Sequence, residues 1–390
     1  MDTQNAKTEP SQNEFAEGSF GYDLNFLKQK DSGLVTLGSG DAQILVSPVY
    51  QGKIFTSTYN GDQGRSLGWI NYEAFGKNDP HMNAYGGESR YWLGPEGNKY
   101  SLFFKKDSTM EFKNWKTPTA FDSEPWKLKS KSANSATVTK QMMLTNYAGT
   151  TFNMLASREI TMLDKKAIAD KLDTDLNTKN LNIVGYSTEN SLKNTGDIAW
   201  NEETGAPCIW ILDMLKPSDS TVILVPFKDA DSEKIATTDY FGEIDKDRIA
   251  YQNNVLYFKA DGKSRGKLGM PPERTKAVAG SYDAKNGLLT IIFFDVDNNA
   301  KYLNQEWNTT APAYTGDAVN AYNDGPLEDG SQMGPFYEIE SVSPAAFLSP
   351  GESIDHKHTM IHINAPTEEL NKIMQHTFGI TTDEAVNTLN

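Results

Sequence analysis

The amino-acid sequence predicts a mainly β protein, a large antiparallel sandwich with few short helices. Three observations carry this. Short apolar or β-branched runs recur along nearly the whole chain, set apart by Gly, Pro, Asn and Asp. Several alternate apolar with polar residues, as a half-buried strand does, and one is apolar on both parities. One segment, near the C-terminus, carries convincing helical spacing. With 390 residues, 38% hydrophobic and 11% aromatic, the chain is long enough to bury a sizeable core without covalent staples.

In chain order, residues 1–18 are polar and poor in apolar side chains, which predicts a disordered tether. They resemble the segment that follows the lipid-bearing Cys of an exported bacterial lipoprotein. The expected location is the periplasm or cell surface, with a lipid anchor upstream of this chain; the alternative reading is a cytosolic protein with a loose N-terminal end. Residues 19–390 are expected to form one domain. A short helix is predicted over 20–28, then strands over 33–37 and 43–46, joined through Gly38-Ser-Gly-Asp41, and a strand over 53–58. The stretch 81–104 turns at Gly86-Gly87 and Gly94-Pro95 and ends in a strand-like run, 100–104. Residues 136–144 and 151–162 read as a long hairpin, with Phe152, Met154, Ala156, Arg158, Ile160 and Met162 on one parity. Further strands are predicted over 180–190, 208–212, 221–226, 254–260 and 288–296. The last of these is apolar on both parities and therefore central. Residues 337–348 and 353–363 read as a final hairpin around Ser349-Pro-Gly-Glu352. Near 367–379, Leu370, Ile373, Met374 and Phe378 have helical spacing, with Thr367 as the expected cap and Gly379 as the stop. A mobile polar tail is predicted beyond it.

Chemistry concentrates in 81–104. If that piece is extended, Glu88, Arg90 and Trp92 share one face. A carboxylate, a guanidinium and an indole on one surface suit a sugar, whose hydroxyls bond the charged groups while its C–H face stacks on the indole. The same residues also suit a structural ion pair beside a half-buried Trp. Asn83 and His81 are polar candidates in the same stretch. Glu338 and Glu340 share a parity in 337–341 and either project into a cleft, one as a general base, or lie on a solvated face. Trp210 and Asp213 end a strand. Lys267 stands in the Gly-rich run 262–269, and Tyr302 and Trp307 are further candidates. The turn-rich segments 322–326 and 330–334 could line a cleft rim.

His356, His358 and His362 share parity in one predicted strand. They suit either two-imidazole metal binding or the solvent face of an edge strand, and with no clear third ligand no metal site is assigned. The run 262–269 lacks the full phosphate-loop pattern, and no Gly-x-Ser-x-Gly elbow occurs. The single cysteine, Cys208, stands in an apolar run and excludes a disulfide framework. A formal charge of −15 with no basic cluster argues against nucleic acid and anionic membranes, and no run has the length of a membrane-spanning helix. No cofactor is implied.

Gly86-Gly-Glu-Ser-Arg-Tyr-Trp-Leu-Gly-Pro-Glu96, Ser191-Leu-Lys-Asn-Thr-Gly196, Tyr337-Glu-Ile-Glu-Ser-Val-Ser-Pro344 and Ser349-Pro-Gly-Glu-Ser353 together resemble a family of exported bacterial proteins of unknown function. That family is related in pattern to the galactose mutarotase-like superfamily. The resemblance spans residues 20–363. It implies a β-supersandwich that binds carbohydrate in an open cleft on one sheet. In aldose mutarotases an early Arg binds the sugar, a late-strand Glu is the general base and a mid-chain His is the general acid. Arg90 matches the first, and Glu338 or Glu340 the second. No His lies between His81 and His356, so the third has no match in place, and His81 is the candidate from the opening stretch. The expectation is a carbohydrate-recognising envelope protein. Either it is a mutarotase- or epimerase-like isomerase using Glu338 and His81, with Arg90, Glu88, Trp92, Asn83, Trp210, Asp213, Lys267 and Glu340 on the sugar, or it is a non-catalytic glycan-binding or structural protein.

Overall fold

Eighteen strands occur among the described residues, 15–176, 180–230 and 234–389 of a computed structural model, and every strand pair is antiparallel. The strands are β1 (Val35–Ser39), β2 (Ala42–Ser47), β3 (Lys53–Thr58), β4 (Arg90–Gly94), β5 (Lys127–Lys131), β6 (Ser135–Thr145), β7 (Thr151–Met162), β8 (Asn182–Asn194) and β9 (Cys208–Leu215). They continue as β10 (Thr221–Pro226), β11 (Ile249–Gln252), β12 (Val255–Lys259), β13 (Gly266–Met270), β14 (Val278–Asp283), β15 (Leu288–Phe294), β16 (Val319–Asn323), β17 (Tyr337–Val342) and β18 (Ser353–Asn364). The helices are α1 (Phe20–Lys30), α2 (Thr119–Asp122), α3 (Lys165–Leu172), α4 (Thr367–Phe378) and α5 (Thr382–Asn387). The tether read over 1–18 lies outside the described residues as far as residue 14.

A ten-stranded sheet in the order β11-β12-β10-β14-β15-β18-β8-β7-β6-β5 backs the molecule. A five-stranded sheet, β13-β16-β17-β9-β4, carries the cleft described below, and a three-stranded sheet, β1-β2-β3, completes the assembly. This is the mainly β, antiparallel supersandwich with few helices that the sequence predicts. In β7 the residues Phe152, Met154, Ala156, Arg158 and Ile160 are buried as their shared parity demands, while Met162 at the strand's end is half-buried. β15 lies between β14 and β18. Its Ile292 and Phe294 face the inter-sheet core, while Leu289 and Ile291 pack with Ile373, Met374 and Phe378 of α4. α1 packs Phe20 and Leu27 on Leu45 and Phe55 of the small sheet. Among the described residues no helix is long and apolar enough to cross a membrane.

Several sequence expectations need correction. Residues 337–348 and 353–363 are not a hairpin: β17 belongs to the five-stranded sheet and β18 to the ten-stranded one, so the segment between them crosses layers. β18 is central, and His356, His358 and His362 point into the core. Lys267 sits on strand β13, not in a loop. Residues 100–104 form no strand but a buried turn, in which Ser101 and Asn98 bond the backbone. α4 begins after Pro366 without a side-chain cap, whereas Gly379 ends it in the left-handed region at φ 76°, as expected. The polar tail beyond it is ordered as α5. Thr381 and Glu384 form a capping box, and Ile380, Thr382 and Ala385 are buried.

Candidate functional site

Side chains of the five-stranded sheet alternate between the inter-sheet core and an outer face. Leu268, Ala321, Ile339, Ile211 and Leu93 point inward. Lys267, Tyr322, Glu338, Trp210, Leu212, Met214, Arg90 and Trp92 point outward and line a pocket of about 130 Å³, which opens beside a cleft of about 790 Å³ that shares Lys267 and Tyr322 as walls. Backbone register sets the floor. Lys267 pairs with Tyr322 and Tyr322 with Glu338, while Asn320 pairs with Glu340, Glu340 with Leu212 and Leu212 with Arg90.

The floor is a charged and aromatic network. Arg90 reaches across β9 to donate from Nη2 to Glu338 Oε1, and its guanidinium lies 5.0 Å from the Trp92 ring centre. Trp92 and Trp210 meet edge to face at 5.8 Å. Trp210 Nε1 donates to Glu340 Oε2 at 2.9 Å, and Lys267 Nζ lies 3.3 Å from the same oxygen and 4.8 Å from the Trp210 ring centre. Glu340 Oε1, Arg90 Nε and both amide atoms of Asn320 are buried without a hydrogen-bond partner among the described residues. Buried polar atoms are rarely left unpaired; of these residues Arg90 lines the smaller pocket, while Glu340 and Asn320 lie beneath the cleft surface.

Burial shapes the charges. It raises the Glu338 carboxyl to about 7, against the opposing pull of Arg90 and helped by the neighbouring Glu340. Burial also raises Glu96, a wall residue just beyond β4 that accepts from Trp307 Nε1 at 3.2 Å. Burial disfavours the Lys267 ammonium, but the carboxylates of Glu340, Glu96 and Glu338 outweigh it and hold this lysine above its usual value. On another wall, Tyr240 donates to Asp317 Oδ2 at 2.5 Å, and burial lifts Asp317 to about 7. Arg265 stacks on Phe241 at 3.8 Å from the ring centre and donates to the Tyr322 hydroxyl, which donates to Asp324.

Of the residues singled out from sequence, Arg90, Trp92, Trp210, Lys267, Glu338 and Glu340 come together here, and Trp307 and segment 322–333 line the mouth. Five do not join them. Glu88 and Arg90 do not share a face. At residues 88–89 the backbone bonds β3, and both side chains turn inward, Ser89 to Arg158 and Glu88 to His362 Nε2 at 3.1 Å and the Ser57 amide at 2.6 Å. Asp213 alternates with Leu212 and Met214, so it faces the core, 2.9 Å from His358 Nε2. Asn83 is spent on Asp122, at 2.6 Å from its side-chain amide and 2.9 Å from its backbone N–H. His81 contacts the Trp115 carbonyl at 2.7 Å through Nδ1 and stacks on Phe112 from outside the cleft walls. Tyr302 is a core residue.

The three histidines of β18 bond hydroxyls and carboxylates. His356 and His358 share Ser341 Oγ at 2.9 Å, and His362 Nδ1 meets Thr290 Oγ1 at 2.8 Å. Among the described residues no group of three or more His, Cys, Asp or Glu is placed to hold a metal ion. Sequence reading missed Glu96, Tyr240 and Arg265 on the walls, and Asp317 behind them, which Tyr240 bonds. Glu96 had a visible signal, a carboxylate directly after the Gly-Pro turn that ends β4. The others take their places through register and loop packing.

A family of unknown function (DUF6786) matches residues 18–389. No match was found among curated proteins. Among solved structures, the chain is similar to a putative aldose 1-epimerase from Escherichia coli K12, at 13% identity and a TM-score of 0.49, over 84% of this chain and 98% of that one. It is also similar to a galactose mutarotase-like protein from Lactobacillus casei ATCC 334, at 10% identity and a TM-score of 0.47, over 85% and 100%. A galactose mutarotase related enzyme from Lactobacillus acidophilus is similar at 10% identity and a TM-score of 0.45, over 84% and 97%.

Proposed function

The chain belongs to the family of unknown function DUF6786, and we propose that the cleft on its five-stranded sheet recognises carbohydrate. The observation that carries this is the floor: two indoles set among Arg90, Lys267 and Glu338 in one pocket, with Glu340 beneath them and Arg90 Nε still unpaired. Indole faces suit the C–H side of a pyranose, and fixed donors and acceptors suit its hydroxyls. Titration with a panel of soluble sugars, followed by tryptophan emission, tests it. A sugar on the floor changes the emission of Trp92 and Trp210, and Arg90→Ala weakens that response. A panel in which no sugar alters the emission would refute the proposal.

The raised Glu338 carboxyl favours a second reading, a mutarotase- or epimerase-like isomerase. A carboxyl near 7 exchanges protons readily at neutral pH. His81, the partner expected from sequence, is engaged outside the cleft walls. Glu96, a second raised carboxyl on the wall, takes the partner role in this reading. NMR exchange spectroscopy on aldose anomers separates the two. Catalysis predicts exchange above the buffer rate for wild type and loss of it in Glu338→Gln. Equal exchange in both, at the buffer rate, leaves recognition alone.

A further inference from the structure

We infer, building on the carbohydrate reading above, that the cleft takes an oligosaccharide of neutral or amino sugars, with one unit on the floor and the next units against an apolar rim. The space is the first reason. The cleft of about 790 Å³ lies in the upper part of the range for small-molecule sites, and it adjoins the pocket of about 130 Å³ that the floor itself lines. A single sugar on the floor leaves most of the cleft unfilled.

The rim is the second reason. Nine large hydrophobic side chains are exposed among the described residues, and four of them, Phe112, Phe241, Leu327 and Met333, surround this one mouth. Phe112 is 62% exposed. Clustered apolar exposure beside a polar cleft marks a binding surface. The rings also form a series. Phe112 and Trp115 are near parallel at 6.1 Å, and Trp115 and Trp307 at 6.2 Å, so similarly tilted faces run between rim and floor.

The polar groups between the rings select the ligand class. Asp239, Glu306, Asn308 and Gln332 interrupt the apolar rim. Asn308 and Gln332 already bond within the chain and Asp239 lies 3.9 Å from Lys234, but an acyl chain laid there would still strip water from the carboxylates, which is costly. A glycan meets rings with its C–H faces and these groups with its hydroxyls. Charge narrows the class further. Five carboxylates, Glu96, Asp239, Glu306, Asp324 and Glu338, line the two pockets against three cations, of which Arg90 and Lys267 are paired with Glu338 and Glu340. Uronate-bearing glycans would meet like charge.

The test is a printed array of neutral, amino and uronate-bearing glycans of one to six units, probed with the full chain. Calorimetry on the best ligand and on its single terminal sugar follows. The expected result is binding to glycans of two or more units without uronate, at least about 10-fold tighter than the single sugar. Phe112→Ala and Leu327→Ala change exposed side chains that line the larger cleft alone and should leave the fold intact. Each should weaken oligosaccharide binding about 10-fold and leave the single sugar unaffected. Equal affinity for the single sugar, preference for uronates, or wild-type binding by both rim variants would overturn the inference while leaving carbohydrate recognition standing. Failure of every glycan to bind would overturn both.

Discussion

Replacing Lys267 by Met keeps an unbranched apolar stem and removes the ammonium. In the native cleft that ammonium lies 3.3 Å from Glu340 Oε2, and Glu340 is wholly buried. At this separation and an effective dielectric of about 20, the attraction is about 5 kcal/mol. Desolvation of both ions offsets much of it, so the intact pair contributes far less to net stability. The single variant loses the attraction and keeps the cost, because Glu340 is left with the Trp210 indole as its remaining donor. The expected loss is about 3–5 kcal/mol. In Lys267→Met/Glu340→Gln the buried charge is gone and the amide oxygen still accepts from Trp210. That variant should lie within about 1 kcal/mol of wild type, giving a coupling of at least about 2 kcal/mol. Urea unfolding of the four proteins reads these values as midpoint shifts at constant slope. A single variant within about 0.5 kcal/mol of wild type would refute the reasoning, since that is the size of a solvated surface pair.

Other consequences are separate. Burial depresses Lys53 from 10.5 to about 7, so the unfolded chain binds its proton between those values and the native one does not. Stability therefore gains from Lys53 as pH rises through that window, and the same amount is lost as pH falls back from 10.5 to about 7, below which the contribution levels off. Urea midpoints from pH 7 to 9 should show this slope in wild type but not in Lys53→Met, and identical slopes would contradict it. Burial lifts the Cys208 thiol to about 12, so a thiol reagent at neutral pH should label the unfolded chain and spare the native one. His362→Phe removes a hydrogen bond from the buried Glu88 carboxylate and should cost about 2–3 kcal/mol by urea unfolding without changing sugar affinity. A selective loss of sugar affinity would instead return Glu88 to the cleft.

Periodicity made much of the scaffold legible. The alternation in β7, the two-sided apolar run of β15 and the face of α4 each report local burial, which sequence records directly. Parity also grouped Arg90 with Trp92 and Glu338 with Glu340. It could not say which face is the inner one, nor where a strand stands in its sheet. Asp213 and the histidines of β18 were misplaced for that reason, because centre and edge are decided by distant strands. Glu88 failed because its backbone bonds β3 before β4 begins. The Arg90–Glu338 pair spans 248 residues of sequence and arises only from the order β17-β9-β4.

The central claim is that the charged and aromatic floor of this cleft binds sugar. Calorimetric titration of the array-selected glycan into wild type and into Lys267→Met/Glu340→Gln tests it most directly, because the double variant is expected to keep its fold while losing two floor charges. Saturable binding to wild type, weakened by about 100-fold or more in the folded double variant, is the predicted result. Equal affinity for the two proteins would contradict it and place the sugar elsewhere on the molecule.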